Sequence, residues 1–184
     1  MYRILKQIQR TGIVTQAPPA AEESYRVTAN RLQETILRAF AGALTIRQVD
    51  AGSCNMCELE IHATNNPYYN LEGLGIKFVA SPRHADMLLV TGPVSRNMET
   101  ALRRTYDAVP EPRLVVAIGD CGCTGGIFGE SYASCGAVSK VIPVDVAVPG
   151  CPPTPLQIIQ GILTAIESGR PGAKSASGST ASTG

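Results

Sequence analysis

The sequence has no Trp, only three Phe and six Tyr. So few aromatics argue against a stacking platform for single-stranded nucleic acid. There is no surplus of either charge: 16 Lys and Arg face 15 Asp and Glu, for a net +1. A dedicated nucleic-acid binder carries a basic excess on one face. No run of about 18 apolar residues occurs, so no transmembrane helix is expected. The N-terminal MYRILKQIQRTG lacks the apolar stretch of a signal peptide, and no twin-arginine leader is visible. These absences point to the reducing cytoplasm, where disulfides rarely persist. Six Cys in such a chain need another explanation, and metal is the leading one. What is present is otherwise ordinary for a globular protein: 44% hydrophobic and 17% charged residues over 184 positions. That excludes collagen-like, coiled-coil and wholly disordered classes and suits one domain with tails.

Three stretches are expected: an arm and helix over 1–43, an α/β domain over 44–169, and a Ser/Gly/Ala-rich disordered tail over 170–184. Residues 1–10 place Tyr2, Leu5 and Ile8 at helical spacing, with Ile4 beside them. Arg3, Lys6 and Arg10 are basic, and no acid occurs before Glu22. This short basic amphipathic helix suits a membrane surface, a partner, or packing on its own domain. Pro18 and Pro19 mark an extended linker. A helix capped by Thr28 follows, with Leu32, Ile36, Leu37 and Phe40 as its stripe.

Strands are expected at 44–49, 76–80 and 86–92, over 113–123 with a Gly/Cys loop at its end, and in the extended stretch 141–153, and helices from about 58, over 95–108 and over 154–168. Thr154 is a suitable N-cap and Pro155 a suitable first residue for the last helix. Strands alternating with helices define a doubly wound α/β sheet.

Four of the six Cys follow strand ends: Cys54 and Cys57 after the first strand, Cys121 after RLVVAIG, Cys151 after VDVAV. In open α/β sheets, ligand sites gather outside the carboxyl ends of the strands. The four are therefore expected to converge despite their separation in sequence. Four thiolates suit zinc or an iron–sulfur cluster. Structural zinc sites usually come as two tight Cys pairs, whereas here there is one pair and two singles. The Gly residues at 52, 119, 122, 125, 126 and 150 permit close backbone approach and amide donation to cluster sulfurs. Cys151 precedes Pro152, a common ending of ferredoxin-type ligand runs. An iron–sulfur cluster is the favoured occupant. Cys123 and Cys135 are expected to pack rather than ligate.

DAGSCNMCELEIHA, ASPRHADMLLVTGPVSRNM, IGDCGCTGG and IPVDVAVPGCPPTP resemble the family of the complex I 20 kDa iron–sulfur subunit and the small subunits of membrane-bound [NiFe] hydrogenases. The resemblance covers about residues 44–168. The Cys54-x-x-Cys57 spacing resembles hydrogenase small subunits, since the complex I subunit has two adjacent Cys there. The surrounding motifs are most similar to the group 4 hydrogenase and formate hydrogenlyase branch. This resemblance implies a flavodoxin-like fold and one [4Fe-4S] cluster on Cys54, Cys57, Cys121 and Cys151. It implies electron transfer to or from a nickel–iron site in a large subunit, with no hydrogenase activity of this chain alone. The implied partners are that large subunit, a ferredoxin-like iron–sulfur subunit and membrane subunits, with peripheral attachment on the cytoplasmic side. The chain ends soon after PGCPPTP and its helix, which fits the short, cytoplasm-facing type. The alternatives are a complex I-type subunit that reduces quinone and, from another class, a zinc-stapled interaction module.

Other residues carry two readings each. Glu58 and Glu60 either serve protons near the redox site or favour a helix dipole. Arg83 either raises a cluster potential or pairs at the surface. His84 either moves protons or is structural. Asp120 is expected to turn or cap its loop.

Overall fold

The computed structural model describes residues 2–12, 23–40 and 42–169. The expected linker prolines and the tail from 170 onward lie outside the described residues. Two helices come first, α1 (Tyr2–Thr11) and α2 (Glu23–Phe40). The α/β part then runs β1 (Leu44–Asp50), α3 (Met56–Ala63), β2 (Ile76–Phe78), β3 (Met87–Thr91), β4 (Val94–Ser95), α4 (Arg96–Ala108), β5 (Leu114–Ile118), α5 (Gly119–Thr124), β6 (Ser134–Gly136), β7 (Val146–Val148) and α6 (Pro155–Ser168).

β5 and β3 up to its terminal Thr91 are runs of apolar residues, and both strands are buried along their whole length. Period two sends their side chains to opposite faces. Met87, Leu89, Leu114, Val116 and Ile118 pack under α2, α3 and α6. Leu88, Val90, Val115 and Ala117 pack on the other side with Leu102 of α4, Val138 and Ile142. Both faces are covered, which is why these strands are continuously apolar rather than alternating. The five parallel strands follow the order β2-β1-β3-β5-β7. This is the flavodoxin-like arrangement, with a switch point between β1 and β3. There the connections leave in opposite directions and open a crevice at the carboxyl ends of the strands.

α6 starts as its sequence dictates. Thr154 accepts from the Gln157 N–H, Gln157 caps in return, and Pro155 occupies the first turn. α2 departs from expectation. It already runs from Glu23, and Thr28 lies inside it, its hydroxyl donating to the Ser24 carbonyl at 2.9 Å. A mid-helix Thr can bond back to the preceding turn instead of capping, and the periodicity alone does not separate the two. Ser95 occupies the N-cap of α4, and its side chain makes no capping bond. A small antiparallel sheet, β4 with β6, went unanticipated. Strands of two and three residues are too short to leave a periodic signal. Of the expected extended stretch 141–153, only Val146–Val148 pairs with β5.

Candidate functional site

β1 ends at Asp50, whose carboxylate Oδ1 accepts from the backbone N–H of Gly52 (2.8 Å) and of Ser53 (2.9 Å). This Asx-type turn folds the chain back and presents Cys54. Asn55 takes the left-handed conformation (φ 73°) and starts α3, whose first turn carries Cys57. Across the switch point, β5 runs directly into α5, so the Gly/Cys stretch expected as a loop is a six-residue helix. Positions 121 and 123 on it point apart. The Cys121 thiol is turned to the crevice with Cys54, Cys57 and Cys151, which together line one recess with Gly92, Asp120 and Gly150. Cys123 is turned inward against the second core, its thiol donating to the Ala117 carbonyl at 3.7 Å. Cys135 is buried on β6, 3.4 Å from Glu99 Oε2. The structure thus brings together the four cysteines expected to converge and leaves the other two in the core.

A reciprocal brace joins two of the cysteine-bearing segments. The Asp120 N–H donates to the Gly150 carbonyl (2.9 Å), and the Gly150 N–H donates to Asp120 Oδ1 (2.8 Å). Asp120 therefore does not cap its own segment; it ties the Cys121 helix to the Cys151 turn. Glycine is required at this surface for space. A Cβ on Gly119 (φ +82°) would stand 2.5 Å from the Cys57 sulfur, and one on Gly126 (φ +55°) 2.7 Å from the Cys121 sulfur. Four of the six glycines expected to donate to a cluster have acceptors within the chain. The N–H groups of Gly52, Gly125, Gly126 and Gly150 already donate to Asp50, Cys121 O, Thr124 and Asp120.

Electrostatically, the crevice disfavours isolated thiolates. Burial pushes the Cys57 thiol up to about 12, with Glu58, Cys54, Cys121 and Cys151 adding to the rise. Cys121 is raised by burial and then by Cys151, Cys54 and Asp120. A cationic metal centre would offset the rise at Cys57 and Cys121 and convert such thiols to bound thiolates, with release of protons. Cys54 and Cys151 are exposed, so one side of the site opens outward. Among the described residues, no three His, Cys, Asp or Glu side chains gather closely enough to hold a single metal ion.

Glu58 lies in the first turn of α3, as the dipole reading requires, but it is only 5% exposed and neither carboxylate oxygen has a hydrogen-bond partner. The dipole accounts for its position and not for its burial. Glu60 is half-buried. Arg83 and His84 sit in the 3₁₀ turn that precedes β3. They are thus at the amino end of the sheet, a five-residue strand, roughly 15 Å, from the crevice. A charge there is poorly placed to act on the cysteines. Sequence reasoning missed Asp50 and misassigned Asp120. An acidic residue closing a strand before Gly-Ser is the signal that could have revealed the first.

A flavodoxin-like sheet whose switch-point crevice is lined by four thiols defines a class: an α/β protein with a cysteine-lined recess at the carboxyl ends of its strands. Comparison with known proteins narrows it. Residues 54–165 match the family described as NADH ubiquinone oxidoreductase, 20 Kd subunit, and the chain belongs to this family. It is 42% identical to formate hydrogenlyase subunit 7 of Escherichia coli over 135 residues, covering 73% of this chain and 53% of that protein. The chain thus spans about half the length of that relative. It is 47% identical to the probable membrane-bound hydrogenase subunit mbhJ of Pyrococcus furiosus, covering 65% of this chain and 71% of the relative. Among solved structures, the archaeal membrane-bound sulfane sulfur reductase contains a chain with TM-score 0.63 and 32% identity, covering 77% of each chain. The family is one of oxidoreductase complex subunits, and relatives belong to membrane-bound complexes. No described helix is long and apolar enough to cross a membrane.

Proposed function

We propose that the chain holds one [4Fe-4S] cluster on Cys54, Cys57, Cys121 and Cys151 and serves as the electron-transfer subunit of a membrane-associated [NiFe] hydrogenase of group 4 or formate hydrogenlyase type. The observation that carries this reading is the convergence of these four thiols, and not Cys123 or Cys135, at the carboxyl end of the sheet. When bound, such a cluster supplies a one-electron relay whose potential depends on burial and hydrogen bonding. The chain's own residues do the rest. The turn at Asp50 sets Cys54, and the Asp120–Gly150 brace sets Cys121 and Cys151. Gly119 and Gly126 leave room for the sulfurs. The core beneath Cys57 keeps water from one side of the site.

Met56, which lines the recess, is exposed, as are Leu59 on α3 and Ile127, Phe128 and Tyr132 after α5. The exposure of Cys54, Cys151 and Met56 at the recess suits cover by a large subunit, which on this reading carries the nickel–iron site and performs the H2 chemistry. A ferredoxin-like subunit on the other side of the electron path and membrane subunits complete the complex. Attachment is peripheral, on the cytoplasmic face.

A second reading is favoured by the family description and by relatives named as NADH-quinone oxidoreductase subunits, one of them 41% identical over 80% of this chain. On that reading the partner reduces quinone. The Cys54-x-x-Cys57 spacing and the hydrogenase-named relatives support the first. The test is metal analysis of the native complex, isolated anaerobically through this subunit in mild detergent. Iron with about one nickel per complex, together with H2 oxidation or evolution, supports the hydrogenase reading. Iron without nickel and with quinone reduction overturns it in favour of the second. Zinc alone sinks both.

A further inference from the structure

The electron-transfer reading leaves α1 without a role. No residue of this helix is buried: Tyr2 is 77% exposed, Ile4 63%, Leu5 60% and Ile8 60%. The helix therefore does not hide its apolar face on its own domain. It ends at Gly12 (φ +67°), whose N–H closes the last turn on the Ile8 carbonyl at 2.9 Å. At 3.6 residues per turn, Ile4, Ile8, Leu5 and Tyr2 fall on an arc of about 160°, while Lys6, Arg10 and Arg3 fall on one of about 60°. Gln9 falls inside the apolar arc, between Leu5 and Tyr2. The helix contains no acidic residue.

We propose that α1 lies in the surface of an anionic lipid bilayer. Its apolar arc sinks to the acyl boundary, and Arg3, Lys6 and Arg10 bind lipid phosphates. This deepens the peripheral membrane attachment given above and rests on that attachment, not on the cluster or the nature of the partner. Three observations favour lipid over a protein groove. The polar arc is cationic without a single acid, which matches a diffuse negative surface rather than a mosaic of paired charges. Tyr2 stands at the boundary between the two arcs, where an amphipathic ring sits well at headgroup level. Relatives belong to membrane-bound complexes, while no described helix of this chain crosses a membrane. The ten residues between Gly12 and Glu23 can span at most about 35 Å, enough for α1 to reach a nearby bilayer. A helix this short binds weakly alone. Within an assembled complex it adds avidity rather than acting as the sole anchor.

The test is flotation of the full chain in large lipid excess, so that weak binding is visible, with two kinds of vesicle: phosphatidylcholine alone, and phosphatidylcholine with about one-third phosphatidylglycerol. Two variants accompany it, Arg3→Gln/Lys6→Gln/Arg10→Gln and Ile4→Ser/Leu5→Ser/Ile8→Ser. Neither touches a buried position, and circular dichroism should report an unchanged domain. The wild-type chain should float only with the anionic vesicles and be released by about 0.5 M salt. The basic variant should bind on the order of a hundredfold more weakly, at roughly fivefold per cation. The apolar variant should also fail to float. Equal binding to neutral vesicles, no flotation of the wild type, or variants that float normally would overturn the proposal. So would variants that keep vesicle binding but dissociate from the detergent-solubilised complex, since that result assigns α1 to a protein partner. Cys121→Ser should float like wild type whether or not it keeps iron, so failure of the cluster reading and failure of this one are separately visible.

Discussion

At the amino end of the sheet, Asp86 accepts from the Thr45 N–H at 2.9 Å, and Asp145 accepts from the Val115 N–H at 2.9 Å. At the carboxyl end, Asp50 and Asp120 accept from the N–H groups of Gly52, Ser53 and Gly150. The same chemical device acts on different parts of the chain. At the amino end the donors belong to β1 and β5, so the aspartates hold strand register. At the carboxyl end the donors belong to connections, so the aspartates place cysteines. Stability and site geometry are thus borne by opposite ends of one sheet. Substitutions at each end should separate them.

The largest effect is expected at the carboxyl end. Gly119→Ala forces a Cβ against the Cys57 sulfur at a φ of +82°. Iron content of the purified complex should fall close to that of Cys57→Ser, and full iron loading would break the proposed geometry. Asp120→Ala should follow. It leaves the Gly150 N–H without its acceptor, at a cost of about 1–3 kcal/mol. It also loosens Cys121 from Cys151. Partial iron loss and broadened electron paramagnetic resonance lines are expected, with Asp120→Asn milder because one acceptor oxygen remains. Asp86→Ala, at the amino end, should lower unfolding stability by about 1–3 kcal/mol and leave iron content unchanged. If it also lost iron, the division of labour would be wrong.

Most of the sheet was legible because β3 and β5 are apolar on both faces, a pattern few other elements share. The convergence of Cys54, Cys57, Cys121 and Cys151 followed from their places after strands. What was not legible depended on three dimensions. Nothing in GDCGC states that it is helical, which is the geometry that turns Cys123 away from Cys121. That depends on β5 feeding straight into a turn of helix above the core. The Asp120–Gly150 brace links positions 30 residues apart. The burial of Glu58 is set by what packs around α3, while its sequence position suits an ordinary first-turn acid.

Smaller effects sharpen the contrast. A buried carboxylate without a partner costs stability, so Glu58→Met should stabilise the iron-free chain by about 1 kcal/mol in urea unfolding. A loss instead would reveal an unseen partner for the carboxylate. Arg103 and then Cys135 hold half-buried Glu99 below the ordinary carboxylate range, and Lys140 does the same for exposed Glu130. Their folded pKa values lie below the unfolded ones. The stability they contribute is present above the usual carboxylate range and is lost as pH falls through the lowered values. Lys140→Ala should flatten the urea midpoint slightly between about pH 5 and pH 3, with no change near neutrality in iron content.

The most direct measurement compares Cys121→Ser with Cys123→Ser, two positions on one six-residue helix, by iron and acid-labile sulfide in the anaerobically purified complex. The account predicts about four iron and four sulfide per chain in the wild type and in Cys123→Ser, and loss of both in Cys121→Ser. Zinc in the wild type, or iron lost from Cys123→Ser and kept in Cys121→Ser, would contradict it.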